Sequence, residues 1–358
     1  MPPWTADNSV GVEFHNNRAL SEEQIASIVA WVDDGAHEGE GAATQAPPDF
    51  VDGWQMSSPD MIVEVPPFAI PSSGTVEYTY YIVPETFTED RWIRSSELRP
   101  SNIEATHHLL AYVRPPESSY FRDYPLGEFF VPKPGGRARA EGESNFQWRQ
   151  SIGGYAPGQN PGEAKFPDDQ AVFVEAGSQI VFELHYNSKG EPMIDEPRLG
   201  LEFLDGQPAT RRLGGAVIDR DFVITRNAAT HRVDASVGIK QDVTLLSLTP
   251  HMHLRGKSWE FHAIFPDGRT QVLLSVPAYD FNWQITHFLA DPLELPAGTI
   301  IESSAYYDNS ADNVHNPDPM SPVEWGDQSW EEMMVGFFDV AMDPGMDPES
   351  IFGAATRR

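Results

Sequence analysis

The chain has 358 residues, no cysteine, and a formal charge of −30 from 54 acidic against 24 basic side chains. That balance excludes nucleic acid as a partner, because binding phosphate needs a basic face. The missing thiols exclude disulfides, iron–sulfur clusters, thiolate zinc sites, cysteine nucleophiles and covalently attached c-type haem, so any metal must be held by His, Met, Asp or Glu.

The chain starts at Met1-Pro2-Pro3-Trp4 with neither a basic nor an apolar leader region, so no signal peptide is read there. Ser21-Glu22-Glu23-Gln24 has the form of a capping box. Ile25, Ile28, Val29 and Val32 then recur at helical spacing, and Gly35 offers a stop. One amphipathic helix of about four turns is expected. Gly39 to Pro48 reads as a linker.

From Asp60 the period changes to two. Val76, Tyr78, Tyr80 and Ile82 alternate with Glu77, Thr79 and Tyr81, which predicts a half-buried strand. Residues 106–113 and 178–186 read likewise, and Arg198–Phe203 closes the series. The interval Pro115 to Pro167, rich in Pro, Gly and charge, reads as mostly loop. Asp205-Gly206-Gln207-Pro208 marks a turn and a domain boundary. Strands resume at 213–218, 229–236, 242–249, 258–265 and 270–275, with Pro266-Asp267-Gly268 as a hairpin turn, then at 298–306 and 333–341. No apolar run approaches the roughly 20 residues of a membrane helix, so the chain reads as soluble, with no membrane partner. The fold class is all-β: two tandem antiparallel β-sandwiches, jelly-roll-like, over residues 58–206 and 207–358. A helical segment and linker over residues 1–57 precede them.

His251-Met252-His253 is the centre of the functional reading. In an extended strand, residues i and i+2 share a face about 7 Å apart, so two imidazoles can close on one ion. His185 lies on the strand face shared by Val181 and Glu183, away from the apolar face of Ile180, Phe182, Leu184 and Tyr186. His107 and His108 are adjacent, so both reach one ion only if their strand twists, bulges or ends there. Three imidazoles suit copper, zinc or iron, whereas two imidazoles with a thioether suit Cu(I). His15, His37, His231, His262, His287 and His315 are assigned structural or surface roles.

In chain order these residues carry a resemblance. His107-His108, His185 in Leu-His-Tyr, His251-x-His253 before Gly256-Lys257, and Glu332-Met333 resemble the copper type II, ascorbate-dependent monooxygenases. That family includes the peptidylglycine α-hydroxylating and dopamine β-monooxygenases. Asp280-Phe281-Asn282-Trp283-Gln284 and Tyr307-Asp308-Asn309-Ser310 are similar to its bacterial members, and the likeness spans about residues 58–345. It implies two copper ions, one for electron transfer at His107, His108 and His185, and one for catalysis at His251, His253 and Met333. It also implies O2, ascorbate or another reductant, a small-molecule substrate, and an extracytoplasmic location.

Met334 stands where eukaryotic members have cysteine, so Met333 is the ligand candidate. Thr249 replaces the arginine that clamps a peptide carboxylate, and Val335 and Phe337 replace Asn and Tyr. These changes imply a more apolar pocket and argue against peptidylglycine. The first residues, with Trp31-Val32-Asp33-Asp34-Gly35-Ala36, resemble the tail of a cytochrome c-type domain whose haem-binding half is absent. The chain therefore reads as a fragment or a natural form without its cytochrome, an electron donor for the implied reaction. A non-catalytic copper-binding or interaction module that kept the fold is the competing reading.

Overall fold

A computed structural model of the chain describes residues 5–39, 53–56, 58–116, 118–132, 150–156 and 169–355. Its backbone is an eight-stranded sheet shared by both halves. The strands lie in the order Met61–Glu64, Arg198–Phe203, Arg91–Arg99, Gln170–Val174, Thr210–Asp219, Met334–Met342, Val243–His251 and His287–Leu295. The halves join where Thr210 and Arg211 pair in parallel with Gln170 and Ala171. The two expected sandwiches share one sheet, which runs through both.

A five-stranded sheet completes each half. In the first half its order is Phe129–Phe130, Thr79–Ile82, Gln179–Tyr186, Thr106–Arg114 and Ser151–Tyr155. In the second it is Thr270–Val276, Gly256–Ile264, Ile300–Tyr307, His231–Ile239 and Phe352–Gly353. One apolar core, with Val172, Val174, Phe182, Leu184 and Leu199, fills the first sandwich. Another, with Val217, Trp259, Phe261, Phe338 and Val340, fills the second.

Alternation along the strand at 210–219 shows that these two layers lie on opposite faces of the shared sheet. Val172 and Val174 share the parity of Gln170, which pairs with Thr210, so the even positions of this strand face the first layer. Odd-numbered Val217 belongs to the second core instead. A Cβ on Gly214 would approach Asp339 and Gln150, whereas one on Gly215 would strike Phe338 and Phe352 at 2.5 and 2.9 Å. The even face of the second half, with Ala216 and Ile218, is therefore the face on which the first half's outer layer stands.

The N-terminal helix, Glu22–Asp33, has its expected capping box: the Ser21 hydroxyl accepts from the Gln24 N–H, and the Gln24 side chain accepts from the Ser21 N–H. At 12 residues it is shorter than four turns. Its apolar stripe is not packed, since Ile25, Ile28, Val29, Trp31 and Val32 are 42–55% exposed. The residues before it are integrated elsewhere, in the second half. Asp7 and Val12 donate to Ser275 and Leu273, His15 donates to Phe288, and Phe14 enters the second core. The expected linker over Gly39–Pro48 lies outside the described residues apart from Gly39.

Several strands depart from the periodicity reading. Thr79–Ile82 is buried on both faces, because Tyr81 packs into the first core while Tyr80 and Ile82 pack against Phe121 and Val181 on the other side. Arg91–Arg99 and His287–Leu295 were not expected; charged residues in the first, and Asp291-Pro292 in the second, obscure the alternation. The interval expected to be loop contributes Ser151–Tyr155 to the first outer sheet.

Candidate metal centre

His185 sits on the central strand of the first outer sheet, on the side facing away from the core, as alternation requires. The face is nevertheless covered: His185 is 5% exposed, with its ring stacked on Tyr78 at 4.2 Å. His108 is its cross-strand partner. The register slips between Thr106, which pairs with Tyr186, and His108, so His107 is the extra residue of a β-bulge. The bulge resolves the difficulty of two adjacent strand histidines: it turns His107 to the side of His108 and His185.

The three imidazoles converge. One ring nitrogen from each lies within 4.8 Å of the others. The Nδ1 atoms of His107 and His108 are 3.1 Å apart. Two nitrogens bound tetrahedrally at about 2.0–2.1 Å from one ion would be separated by about 3.4 Å, close to this spacing. His185 Nδ1 and His107 Nε2 are buried with no protein hydrogen-bond partner. A buried, unsatisfied ring nitrogen costs about 1–3 kcal/mol unless a ligand completes it. Burial, then the neighbouring His108, holds His107 down to about 3. Burial, His108 and His107 hold His185 well below the usual histidine range. Both rings are neutral at pH 7, the state that ligates metal. The residues fit a metal ion.

Behind His108 stands a carboxylate that sequence reasoning missed. Glu183 Oε1 is 3.9 Å from His108 Nε2, and its Oε2 accepts from Tyr80 at 2.7 Å and from Tyr112 at 3.3 Å. A carboxylate on the far side of a ligating imidazole fixes ring orientation and raises ligand basicity. Leu110 pairs with Glu183 just as His108 pairs with His185, so Glu183 lies two residues along the same strand face. Alternation in Glu183-Leu184-His185 was the available signal.

The second set is built differently. The strand Val243–His251 ends at His251, and His253 lies beyond it in a turn that Gly256 closes by donating to the His253 carbonyl. The two histidines are therefore not the in-strand pair that spacing suggested. Their rings still approach, 5.2 Å apart and nearly perpendicular. Three long-range contacts hold this turn. Tyr279 Oη donates to the Met252 carbonyl and accepts from its N–H. The Glu332 carboxylate accepts from the N–H groups of His253 at 2.8 Å and Arg255 at 2.6 Å. The Arg255 side chain donates to Asn309 Oδ1 and to the Trp330 carbonyl. Burial raises Glu332 to about 8 against the opposing pull of those two N–H donors and of the Arg255 charge.

Hydrogen bonds assign the protons of this pair. His251 Nδ1 donates to Gln284 Oε1 at 2.5 Å, and His253 Nδ1 to the Glu331 carbonyl at 3.2 Å. Both lone pairs are then on Nε2. His253 Nε2 is fully buried with no protein partner, and burial followed by His251 keeps this ring well below the usual histidine range.

Met333 precedes the strand Met334–Met342, in which Val335 pairs with His251. Met333 and Val335 share a small apolar cluster with Ala216 on the even face, while Met334 points the other way into the second core. Of the two methionines, Met333 is thus on the face of His251. Ile218 and Phe337 extend this patch, with the Phe337 ring 6.2 Å from His251. Thr249, opposite Phe337, donates to the Thr286 hydroxyl.

The two sets meet across one ring. Phe281 stacks on His107 at 4.5 Å between centroids and stands edge-on to His253 at 6.1 Å. Of the remaining histidines, His287 is buried beside Phe14 and belongs to the core, not to either set.

No family model and no curated protein matches this chain. Viral particles are among the solved structures that align with it. T=1 particles derived from infectious bursal virus match over 82% of this chain and 72% of that one, at 11% identity and a TM-score of 0.22. The Gt strain of infectious bursal disease virus matches over 86% and 77%, at 10% identity and a TM-score of 0.19. Scores this low carry no argument about fold or function.

Proposed function

We propose that this chain is a dicopper monooxygenase that hydroxylates a C–H bond with O2 and an external reductant such as ascorbate. One observation supports the reading most: five histidines from the two halves, grouped three and two, meet at one aromatic ring, Phe281, which stacks on His107 and stands edge-on to His253. The reaction balances as R–H plus O2, two electrons and two protons, giving R–OH and water. Copper, when bound, supplies the one-electron cycling and the activation of dioxygen.

The chain's own residues do the rest. His107, His108 and His185 form the electron-transfer set, and His251, His253 and Met333 the catalytic set. Gln284 and the Glu331 carbonyl keep the protons of the second pair on Nδ1, which leaves Nε2 as the ligating nitrogen of each ring. Burial keeps His107, His185 and His253 unprotonated at neutral pH. Beside His251, the even face presents Ala216, Ile218, Met333, Val335 and Phe337. These side chains carry no charge, so the substrate favoured is an apolar body without a carboxylate anchor. An extracytoplasmic location and electron supply from a separate cytochrome c domain belong to the same proposal.

The test is reconstitution followed by metal analysis, X-ray absorption and oxygen uptake. Two coppers per folded chain, a Cu–S component in the reduced state and ascorbate-dependent uptake with an apolar substrate are expected. One ion or none would remove the two-site reading. Two ions without a Cu–S component would remove the catalytic assignment and leave the non-catalytic copper module. That second reading is favoured by one fact, that the first set alone supplies three imidazoles within ligand reach.

A further inference from the structure

The pairing of the strands Val243–His251 and His287–Leu295 ends at Leu248–His287, short of His251. The segment 283–286, just before the second of these strands, carries Gln284, whose Oε1 accepts from His251 Nδ1 at 2.5 Å. Several bonds shape this segment from within. The Trp283 N–H donates to the Asp280 carbonyl, Gln284 Nε2 to the Phe281 carbonyl, and the Ile285 N–H to the Trp283 carbonyl. Bonds of that kind fix the form of a loop, but not its place beside a neighbouring strand.

Part of that placement comes from the N-terminal segment, 270 positions away in sequence. Residues 13–16 run antiparallel along His287–Leu295, the last strand of the eight-stranded sheet. Ala290 donates to the Glu13 carbonyl, Phe14 bridges Leu289, and His15 donates to the Phe288 carbonyl. At the next position the Asn16 side chain takes the part of a peptide group. Its Nδ2 donates to the Thr286 carbonyl at 2.8 Å, and its Oδ1 accepts from the Phe288 N–H at 3.1 Å. Asn16 is buried, so both bonds are made away from water. On its other side Thr286 accepts through its hydroxyl from Thr249, two positions before His251.

We propose that Asn16 is a positioning residue for the second histidine set: its carboxamide bridges Thr286 and Phe288 and so holds the segment that sets Gln284 against His251. That His251 ligates a metal rests on the two-ion reading above, whereas the brace itself is made of hydrogen bonds within the chain. A carboxamide suits the place because it offers a donor and an acceptor together, as the backbone does. Its removal takes a donor from a carbonyl and an acceptor from an N–H at once. The segment is then free to shift, and the His251 ring to turn.

The experiment reads the imidazole N–H protons of the whole, metal-free chain by NMR with nitrogen-15 histidine, His251→Gln assigning the resonance. In the parent, the His251 Nδ1 proton is expected downfield and protected from exchange. Asn16→Ala should lose that resonance to exchange and leave the signals of the first set unchanged. Gln284→Ala, which removes the acceptor itself, is the benchmark. Chelator competition for Cu(I), followed by the Cu–S component of the second set, should show weakening by about 10–100-fold in both variants. The double variant should lose no more than Gln284→Ala alone, because Asn16 acts through Gln284. If Asn16→Ala does not fold, Asn16→Asp decides, since it keeps the size and the acceptor but lacks the donor. A folded variant at Asn16 with the parent's His251 resonance would overturn the brace, as would losses that add in the double variant. A parent without a second ion would overturn the two-ion reading instead, and the metal-free resonance would still decide the role of Asn16.

Discussion

The two histidine sets offer similar ligands from different kinds of scaffold. The first is written into a sheet: His108 and His185 are register partners on neighbouring strands, and one bulge brings His107 to their side. The second begins where a strand ends, and its turn is held by residues from far along the chain, Tyr279, Gln284 and Glu332. A ladder positions side chains through many shared backbone bonds, so losing one side-chain support leaves the ring positions in place. A turn held by a few side chains depends on each of them. The difference predicts a robust first set and a second set sensitive to single changes around it.

The largest effect is expected at Met333. Met333→Ile removes the soft sulfur but keeps volume, so stability should change by less than about 1.5 kcal/mol. Hydroxylation should fall to background and the Cu–S component should vanish, while copper at His107, His108 and His185 remains. An unchanged Cu–S component would make Met333 a packing residue. It would turn attention to Met334, although that side chain faces the core.

Next comes the clamp. Glu332→Ala leaves the two buried N–H groups of His253 and Arg255 without their acceptor. Each orphaned buried donor costs about 1–3 kcal/mol. Urea unfolding should show this loss, and metal occupancy should drop at the second set alone. Equal losses at both sets would erase the distinction between ladder and turn.

The metal-free protein should also lose stability in acid. An unfolded histidine titrates near 6.5, whereas folded His107 is held to about 3, and His185 and His253 shift the same way. Below about pH 6.5 the unfolded chain takes up protons that the folded chain refuses. Stability present above that pH is thus lost as pH falls, by up to about 1.4 kcal/mol per pH unit for each such histidine. Glu332, raised to about 8, acts in the opposite sense, since the folded chain keeps a proton that the unfolded one releases above about 4.5. His287, held down to about 4 by burial, adds to these, so four histidines against one carboxylate leave a net loss between about pH 6.5 and 4.5. Urea midpoints across that range should show it, and replacing His107 and His185 with Gln should flatten the slope more than replacing His253.

The smallest effect tests support within the ladder. Glu183→Gln keeps the shape beside His108 and removes the charge, so metal affinity at the first set should fall by about 10–100-fold with the second unchanged. Competition with a chelator measures it. No change would mean that Glu183 serves only the hydrogen bonds of Tyr80 and Tyr112.

Local chemistry was enough for part of this protein. The capping box at Ser21, the hairpin at Pro266-Asp267-Gly268, the strand at 198–203, and the face on which His185 lies all depend on neighbours within a few residues. So does the list of residue types able to hold a metal in a chain without cysteine. What neighbours do not determine is how strands are shared and what covers them. That one sheet runs through both halves depends on two residue pairs, Gln170–Thr210 and Ala171–Arg211, about 40 positions apart in the chain. The bulge at His107 exists only relative to its partner strand, because a register slip is a property of two strands and not of one. Glu183 is charged and Tyr80 alternates, so both read as half-exposed until Phe121 and Tyr112 close over them. Phe281 looked like one motif residue among five. Its place between His107 and His253 was decided by tertiary packing, since stacking is set by which surfaces folding brings together.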